Sequence, residues 1–568
     1  MIAAADSDRT DWVRLRQLTE YFRNTRSKRW IVVYRSRSDR SGRVNGEKQA
    51  GLKLGAKPSS LANAPMSRLA QSFTSAVQWN IAISVATVGV QFGITAIVAR
   101  LLGPADFGVF AIANAVFVIA AQLGSVGLIS AIVREPALDQ EIIGAAVFLS
   151  LCVALALASI GILVVVPLVG LVSRVRESAT LQGLLQLISL AILISGIGDA
   201  AQAIMQRELR FRELGLVHLA ALVFGMGALT IVLSLMGEGP WSLAYGCIAY
   251  VAIVSAGCWW RLRDRWSISL HRAHLLRIGR VGMQMSLLRM LDALWTQTPL
   301  IIANTQLSSF NVGLYQRAQS LVDTGIQASS GRVSAVIFPV MALRQGHDEF
   351  LQEMLPPLIG IYCLFLLPVT GFVIVTASDI VGLMLGPGWH DATNPLILVM
   401  IAYAILIISQ PAGSQLEARA VFGARILAAG LGTASIAFFG FVLVGNYGLN
   451  GIAVAAVISA AGMAAINFAA IISHLRVSPR DIFAWMLPAA GISGLLTVVL
   501  IVCASFIGHR VGSPALRLII MGSIAVAVVA IGFRLFMDTT KRQVLSRYIS
   551  PGMPGAVISI ARVFGLSE

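Results

Sequence analysis

Charged side chains are scarce in this chain, because only 12% of its 568 residues are Asp, Glu, Lys or Arg. A soluble globular protein carries about 25%. The five cysteines form no CxxC pair, so the sequence predicts no disulfide framework and no thiol metal site. It also lacks a GxxxxGK[ST] phosphate loop, an HExxH motif and a GxSxG motif. We therefore expect no enzymatic activity, no cofactor and no metal site.

Long apolar runs make up most of the chain, which is 57% hydrophobic with a mean hydropathy of +0.80. A helix needs about 20 apolar residues to cross a bilayer. About fourteen stretches between Gln78 and Met537 reach that length, which predicts an all-α polytopic membrane protein. The predicted spans are 78–99, 107–132, 142–170, 181–203, 213–236, 240–260, 282–304, 311–340, 355–376, 394–415, 421–444, 449–473, 482–506 and 514–536.

The net charge of +16 is distributed as membrane topology requires, and we expect no nucleic-acid partner. Cytoplasmic loops collect Lys and Arg. With the N-terminus placed in the cytoplasm, the inner loops hold fifteen arginines and the outer loops only five, while fifteen of the 43 Lys and Arg residues precede residue 70. The sequence thus predicts a multi-pass protein of the bacterial inner (plasma) membrane with both termini cytoplasmic.

Two outer turns suggest an internal duplication. The turn LGPADFGVF begins at Leu102, and LSSFNVGLY begins at Leu307; in each, Asp106 or Asn311 is the predicted N-cap of the following helix. Two six-helix lobes related by a pseudo-twofold axis along the membrane normal would explain the repeat. The predicted regions are a basic extension (1–65, with Met66 an alternative start), a first lobe (66–260), a basic linker (261–280), a second lobe (281–476), two additional helices (477–540) and a tail (541–568).

The first of these turns carries a family resemblance. The sequence ARLLGPADFG from Ala99 to Gly108 resembles the signature of bacterial polysaccharide transporters, and QRELRFR from Gln206 and LGPGW from Leu385 support the match. These transporters are the O-antigen and exopolysaccharide flippases of the multidrug/oligosaccharidyl-lipid/polysaccharide exporter superfamily. The resemblance covers about residues 66–540. It implies two lobes around a cavity that opens alternately to each side, and an oligosaccharide on undecaprenyl diphosphate as cargo.

Polar groups inside the spans mark the candidate site, because such groups usually face a cavity or the bundle interior. Arginines bind phosphate oxygens bidentately, and carboxylates are able to exchange protons during a transport cycle. Each of these side chains has an alternative role in capping or joining helices. The predicted substrate-binding residues are Arg289, Arg317, Arg332, Gln91 and Gln319, and the predicted ion-coupling residues are Asp292, Asp323 and Asp199.

The sequence leaves two alternatives to a flippase open. One is a multidrug or metabolite antiporter of the same fold. The other is a membrane polysaccharide polymerase, for which the segment from Asp379 to Asp391 is the one candidate outer catalytic loop. For the flippase we expect the lipid-linked oligosaccharide and membrane lipids as partners, with proton or sodium coupling and a polymerase complex as further partners.

Overall fold

The computed structural model describes residues 66–134, 139–167, 178–208, 210–263, 272–342, 348–418, 421–475, 477–507, 510–538 and 541. The predicted extension at 1–65 and all but the first residue of the predicted tail lie outside these ranges. Within them the chain is helical and contains no strand. The expected all-α fold is confirmed.

Fourteen helices correspond one to one with the predicted spans across the described ranges. Gly448, with φ 55° and ψ −133°, breaks the long helix Phe422–Leu475 into two. The helices are α1 (Met66–Leu101), α2 (Pro104–Arg134), α3 (Gln140–Val165), α4 (Ser178–Arg207), α5 (Phe211–Leu235), α6 (Pro240–Arg261), α7 (Arg272–Gln306), α8 (Ser309–Ala342), α9 (Asp348–Met384), α10 (Thr393–Ile408), α11 (422–447), α12 (449–475), α13 (Pro479–Ile507) and α14 (Pro514–Phe536).

The membrane character is uneven among these helices. In the described parts of the chain, eleven helical segments are long and apolar enough to cross a membrane, and one of them contains both α11 and α12. The two long helices outside that set are α7 and α8, which carry most of the predicted charged site residues. Intramembrane charges are rare and are associated with function. α7 and α8 are therefore the first helices in which to look for a functional site.

The helices pack mainly within two groups, one in each lobe. In the first lobe α4 packs on α2, α3 and α6, and α5 packs on α1 and α6. In the second lobe α7 and α10 both pack on the α11–α12 segment, and α10 also contacts α8 and α9. The lobes meet where α7 and α8 pack along α2. α7 begins at Arg272, so it includes part of the segment expected to be a linker.

The predicted N-caps are wrong by one helical turn. Helix α2 begins at Pro104, and the Asp106 side chain reaches back to accept a hydrogen bond from the Gly103 N–H at 3.1 Å. Asn311 occupies the same position in α8 and donates to the Ser308 hydroxyl at 3.1 Å. Asp106 accepts from the N-cap N–H as the third helical residue of a capping box does, whereas Asn311 bonds only the side chain of the preceding Ser308. Proline at the first helical position fixes the start of α2.

The two repeated turns pack against each other. A Cβ on Gly108 would overlap the carbonyl oxygen of Ser309, and a Cβ on Gly313 would overlap the carbonyl oxygen of Pro104. Gly108 and Gly313 are equivalent positions of the repeat, as are Pro104 and Ser309. The contact is therefore reciprocal, and it requires glycine on both helices. A twofold relation between the complete lobes stays a prediction.

An ion pair joins the last helix, α14, to α9 of the second lobe. Arg517 on α14 contacts Asp379 on α9 at 2.6 Å, and both side chains are mostly buried. We expect Arg517→Ala to lower the free energy of unfolding by about 1–3 kcal/mol, between the values for exposed and fully buried pairs. Thermal unfolding in detergent at one scan rate measures the change. Arg510→Ala is the control, because Arg510 is exposed on the loop before α14. An equal effect of the two variants would contradict the prediction.

Candidate functional site: a charged cavity in the second lobe

A cavity of about 260 Å³ lies among α7, α10, α11 and α12. Polar side chains contribute most of its wall, and Trp295, Leu406 and Met463 supply an apolar part. α10 ends at Ile408, and after Ser409 the chain continues as the short helix Gln410–Ala418. This break places several polar groups beside the cavity. The polar lining residues are Arg289, Asp292, Thr296, Ser409, Gln410, Ser414, Glu417, Arg425 and Asn467.

Four charged side chains form a closed ring at this cavity, which we call the charge ring: Arg289, Asp292, Arg425 and Glu417. The Arg425 guanidinium donates to Asp292 at 3.0 and 3.3 Å and to Glu417 at 3.3 Å. Arg289 closes the ring with distances of 3.5 Å to Asp292 and 3.7 Å to Glu417. Each charge thus contacts two opposite charges. The formal charge of the ring is zero.

Burial differs around the charge ring. The Arg425 side chain is only 10% exposed, whereas that of Arg289 is 44% exposed. A half-exposed arginine near the middle of a membrane helix requires water or other polar groups beside it, because hydrocarbon does not solvate the charge. Asp292 and Glu417 are exposed to an intermediate degree. One face of the ring is therefore available to a polar ligand, and Arg425 forms its buried side.

Two buried polar atoms of the residues that line the cavity lack partners among the described residues. They are Nη1 of Arg425 and Oδ1 of Asn467, and both residues are buried. An unpaired buried polar atom costs about 1–3 kcal/mol, so native proteins contain few of them. Both atoms have almost no accessible surface, so they lie within the cavity wall and not at its open face.

Of the predicted site residues whose side chains the structure describes, Arg289 and Asp292 are the two that line the cavity. Arg317 lies near the start of α8, where its guanidinium stacks over the Phe107 ring at 4.1 Å and donates to Gln316 at 2.6 Å. Cation–π stacking contributes about 0.5–2 kcal/mol. Arg317 thus contacts α2 of the first lobe. It does not line the same cavity as Arg289.

Gln319 and Asp323 belong to a second polar network in the same lobe. The Gln319 amide donates to the Thr296 carbonyl at 3.1 Å and to the Tyr403 hydroxyl at 3.2 Å. The Tyr403 hydroxyl also interacts with the Asp323 carboxylate. The network joins α7, α8 and α10. Because Thr296 also lines the cavity, this network lies directly behind the cavity wall.

Asp199 and Gln91 do not line the cavity. Asp199 is buried in α4 of the first lobe and accepts a hydrogen bond from Gln202 at 3.4 Å. No cation lies within ion-pair distance of Asp199 among the residues that the structure describes. Gln91 is half-buried on α1. Arg332 falls on α8, but its side chain lies outside the described part of the structure.

Two residues of the charge ring were missed by the sequence interpretation. Arg425 was assigned to a cytoplasmic loop, and Glu417 lies just beyond the predicted end of its span. Both are close to helix ends, where charges ordinarily mark topology. Their proximity to Asp292, 133 positions before Arg425, depends on tertiary packing.

The signature turns of the sequence form a contact between the lobes, which we call the signature cluster: Ala99, Arg100, Phe107, Leu383 and Trp389. The Trp389 indole donates to the Ala99 carbonyl at 3.0 Å, and Arg100 donates to the Leu383 carbonyl at 2.8 Å. The Phe107 and Trp389 rings meet edge to face at 5.4 Å. These contacts join the two lobes at the end of the bundle that contains the α1–α2 turn.

The candidate polymerase loop has a structural role at this same end. Asp379 is paired with Arg517, and Trp389 packs in the signature cluster. Asp391, at the end of the segment, is exposed but does not line the cavity described above. This geometry gives no support to a polymerase.

Taken together, the fold and site define a polytopic helical bundle with ion-paired and polar groups between its spans, an arrangement typical of membrane transporters. The class is confirmed by comparison with known sequences. Residues 97–394 match the family described as polysaccharide biosynthesis protein, and the chain belongs to that family. The resemblance carried by the signature turns is thereby confirmed.

Two curated relatives each match about 60% of the chain. The succinoglycan biosynthesis transport protein ExoT of Rhizobium meliloti (strain 1021) is 25% identical over 345 residues, which cover 59% of this chain and 67% of ExoT. The lipopolysaccharide biosynthesis protein WzxC of Escherichia coli (strain K12) is 22% identical over 361 residues, which cover 62% of this chain and 71% of WzxC.

Solved structures share the fold. The lipid II flippase MurJ in an inward closed conformation superimposes with a TM-score of 0.64 at 13% identity, covering 80% of this chain and 98% of MurJ. An inward-facing multidrug resistance transporter of the MATE family gives a TM-score of 0.53 at 20% identity, covering 70% of this chain and 96% of that chain. At these identities the likeness concerns the fold alone.

Proposed function

We propose that this chain is a flippase that moves an undecaprenyl-diphosphate-linked oligosaccharide from the cytoplasmic to the outer leaflet of a bacterial inner membrane. The observation that carries the proposal is the polar cavity with its charge ring, set among membrane-spanning helices of a polysaccharide biosynthesis family member. ExoT and WzxC, whose names refer to succinoglycan transport and lipopolysaccharide biosynthesis, support this cargo class.

Alternating access is the mechanism that we propose for this step. The signature cluster holds the lobes together at one end, which the arginine distribution assigns to the outer side. Cargo would then enter from the cytoplasmic side, with its lipid tail in the bilayer and its polar headgroup between the helices. Breaking the signature cluster would expose the headgroup to the opposite side. Both termini remain cytoplasmic in this arrangement.

The charge ring changes the role proposed for Arg289. A diphosphate clamp requires arginines with free donors, but Arg289 contacts both Asp292 and Glu417. We propose that Arg289 binds cargo as part of the ring, and that Arg317 and Arg332 act elsewhere along α8. For ion coupling, Asp199 and Asp323 are better candidates than Asp292, because Asp292 is held in ion pairs.

An antiporter remains the second candidate function. Two observations favour it: the fold is shared with a multidrug resistance transporter, and the charge ring has no net positive charge that would exclude cationic compounds. Family membership favours the flippase. The two candidates differ in the cargo that accumulates when the protein is absent.

Deletion of the gene in its native host tests the proposal. We expect lipid-linked repeat units to accumulate on the inner leaflet and surface polysaccharide to fall at least tenfold, with restoration by the wild-type chain. Arg289→Ala and Asp292→Asn are expected to restore less than a tenth of the polymer, whereas Arg510→Ala, on an exposed loop, restores it fully. Normal polymer with altered drug tolerance would contradict the flippase and support the antiporter.

A further inference from the structure

The size of the cavity limits what it holds. Its volume of about 260 Å³ lies just below the ~300–1,000 Å³ of pockets for drug-sized ligands. A complete oligosaccharide exceeds that space several times over, whereas a single sugar ring has a suitable size. If this cavity contacts the cargo, it contacts one residue of the glycan and leaves the rest outside.

The pattern of donors and acceptors favours a ligand made of hydroxyl groups. Arg289 offers N–H donors, while Asp292 and Glu417 offer only acceptor oxygens when ionised. A hydroxyl group both donates and accepts, so it pairs with either kind of group. Ser409, Ser414 and the amide side chains of the lining have the same dual capacity. A ring of alternating donors and acceptors therefore matches the circumference of a sugar.

The same pattern disfavours an anion. A phosphate or carboxylate placed at the exposed face would lie beside Asp292 and Glu417 as well as Arg289. Like charges at about 4 Å repel by about 4 kcal/mol at an effective dielectric constant of 20. Both arginines already form ion pairs with the carboxylates of the ring. An anion would have to replace one of those ion pairs in order to form its own.

The two unpaired atoms lie within the cavity wall and give no support to a ligand by themselves. Nη1 of Arg425 and Oδ1 of Asn467 belong to residues that line the cavity, but both atoms have almost no accessible surface. A ligand therefore pairs with the exposed polar groups of the lining, such as those of Arg289, Asp292 and Glu417.

We propose that this cavity binds a single uncharged hexopyranose ring of the transported glycan, with the charge ring as its hydrogen-bonding frame. The inference rests on the proposed flippase function and makes it more specific. The diphosphate of the same cargo binds outside the cavity.

Binding to the purified full-length chain in lipid nanodiscs tests the inference. The probes are methyl α-D-glucopyranoside and methyl α-D-galactopyranoside as neutral rings, with glucuronate and inorganic pyrophosphate as anions, each followed by saturation-transfer NMR. We expect at least one neutral glycoside to bind at millimolar concentration and both anions to bind at least tenfold more weakly. Absence of binding by both glycosides, or tighter binding of either anion, would overturn the proposal.

A pair of matched variants locates the binding. Asn467→Leu replaces a polar residue of the cavity lining by an apolar one and should reduce glycoside binding at least tenfold, while Asn450→Leu, on an exposed turn of the same helix, should leave it unchanged. Ser414→Ala is a milder second variant at the cavity wall. Equal binding by all three variants and the wild type would place the sugar elsewhere and refute the inference. Because lipid-linked intermediates in the deletion strain are measured separately, a failure here leaves the flippase result intact.

Discussion

Replacing Arg425 by alanine is expected to destabilise the second lobe by about 3 kcal/mol and to abolish transport. The substitution leaves Asp292 and Glu417 with only the longer contacts to Arg289, so two partly buried carboxylates lose their main cation. Removing one partner of a buried ion pair costs about 3–5 kcal/mol. The lower end applies because both carboxylates retain some exposure. Apparent thermal midpoints in detergent at one scan rate measure the loss.

Two further variants separate charge from geometry in this prediction. Arg425→Lys keeps the charge, but a single ammonium does not reproduce the guanidinium contacts to both carboxylates, so we expect partial stability and weak transport. Arg425→Ala combined with Glu417→Gln leaves Asp292 as the one carboxylate that Arg289 has to balance, and it should recover part of the lost thermal midpoint. A double variant no more stable than Arg425→Ala would show that the charge ring does not stabilise the lobe.

The number and type of helices could be predicted from the sequence because membrane spans are local features. Apolar runs of about 20 residues with few charges have few structural alternatives in a bilayer. The polar character of α7 and α8 was equally local, and α7 places Arg289 and Asp292 in the cavity wall. The turns at Leu102 and Leu307 have similar sequences, and in the structure these two turns pack against each other through the reciprocal glycine contact.

The composition of the site could not be predicted in the same way. Arg425 and Glu417 lie near the ends of predicted spans, where charges ordinarily mark which side of the membrane a loop occupies. That rule describes topology and does not predict which helices pack together. Arg317 was interpreted as a cavity residue, yet its guanidinium stacks on Phe107 of the first lobe. Both outcomes depend on which faces of the helices pack together. No pattern of residues within a single sequence predicts that packing. The charge ring is therefore a property of the folded lobe.

Alanine at Gly313 is expected to separate α2 and α8 and to disable transport. The new Cβ would overlap the Pro104 carbonyl oxygen, so the helices have to move apart by roughly 1–2 Å to restore an ordinary carbon–oxygen contact of about 3.3–3.6 Å. Overpacking of this kind costs about 1–3 kcal/mol. If the cost falls only on the conformation with the signature cluster formed, that conformation loses about 5- to 150-fold in population.

Spin labels on the exposed residues Glu238 and Asp391 measure this effect, because Gly239 lies beside Asp106 and Asp391 follows Trp389 at the same end of the bundle. We expect a longer and broader distance distribution in Gly313→Ala, with loss of polymer in the complementation assay.

Gly108→Ala should act in the same way, since the contact is reciprocal, and the double variant should add little because the helices have already separated. Gly382→Ala is the control, because no atom lies within 4 Å of its Cβ position. An unchanged distance in Gly313→Ala would mean that the two helices tolerate a side chain there, and the glycine pair would then have no part in closing this end.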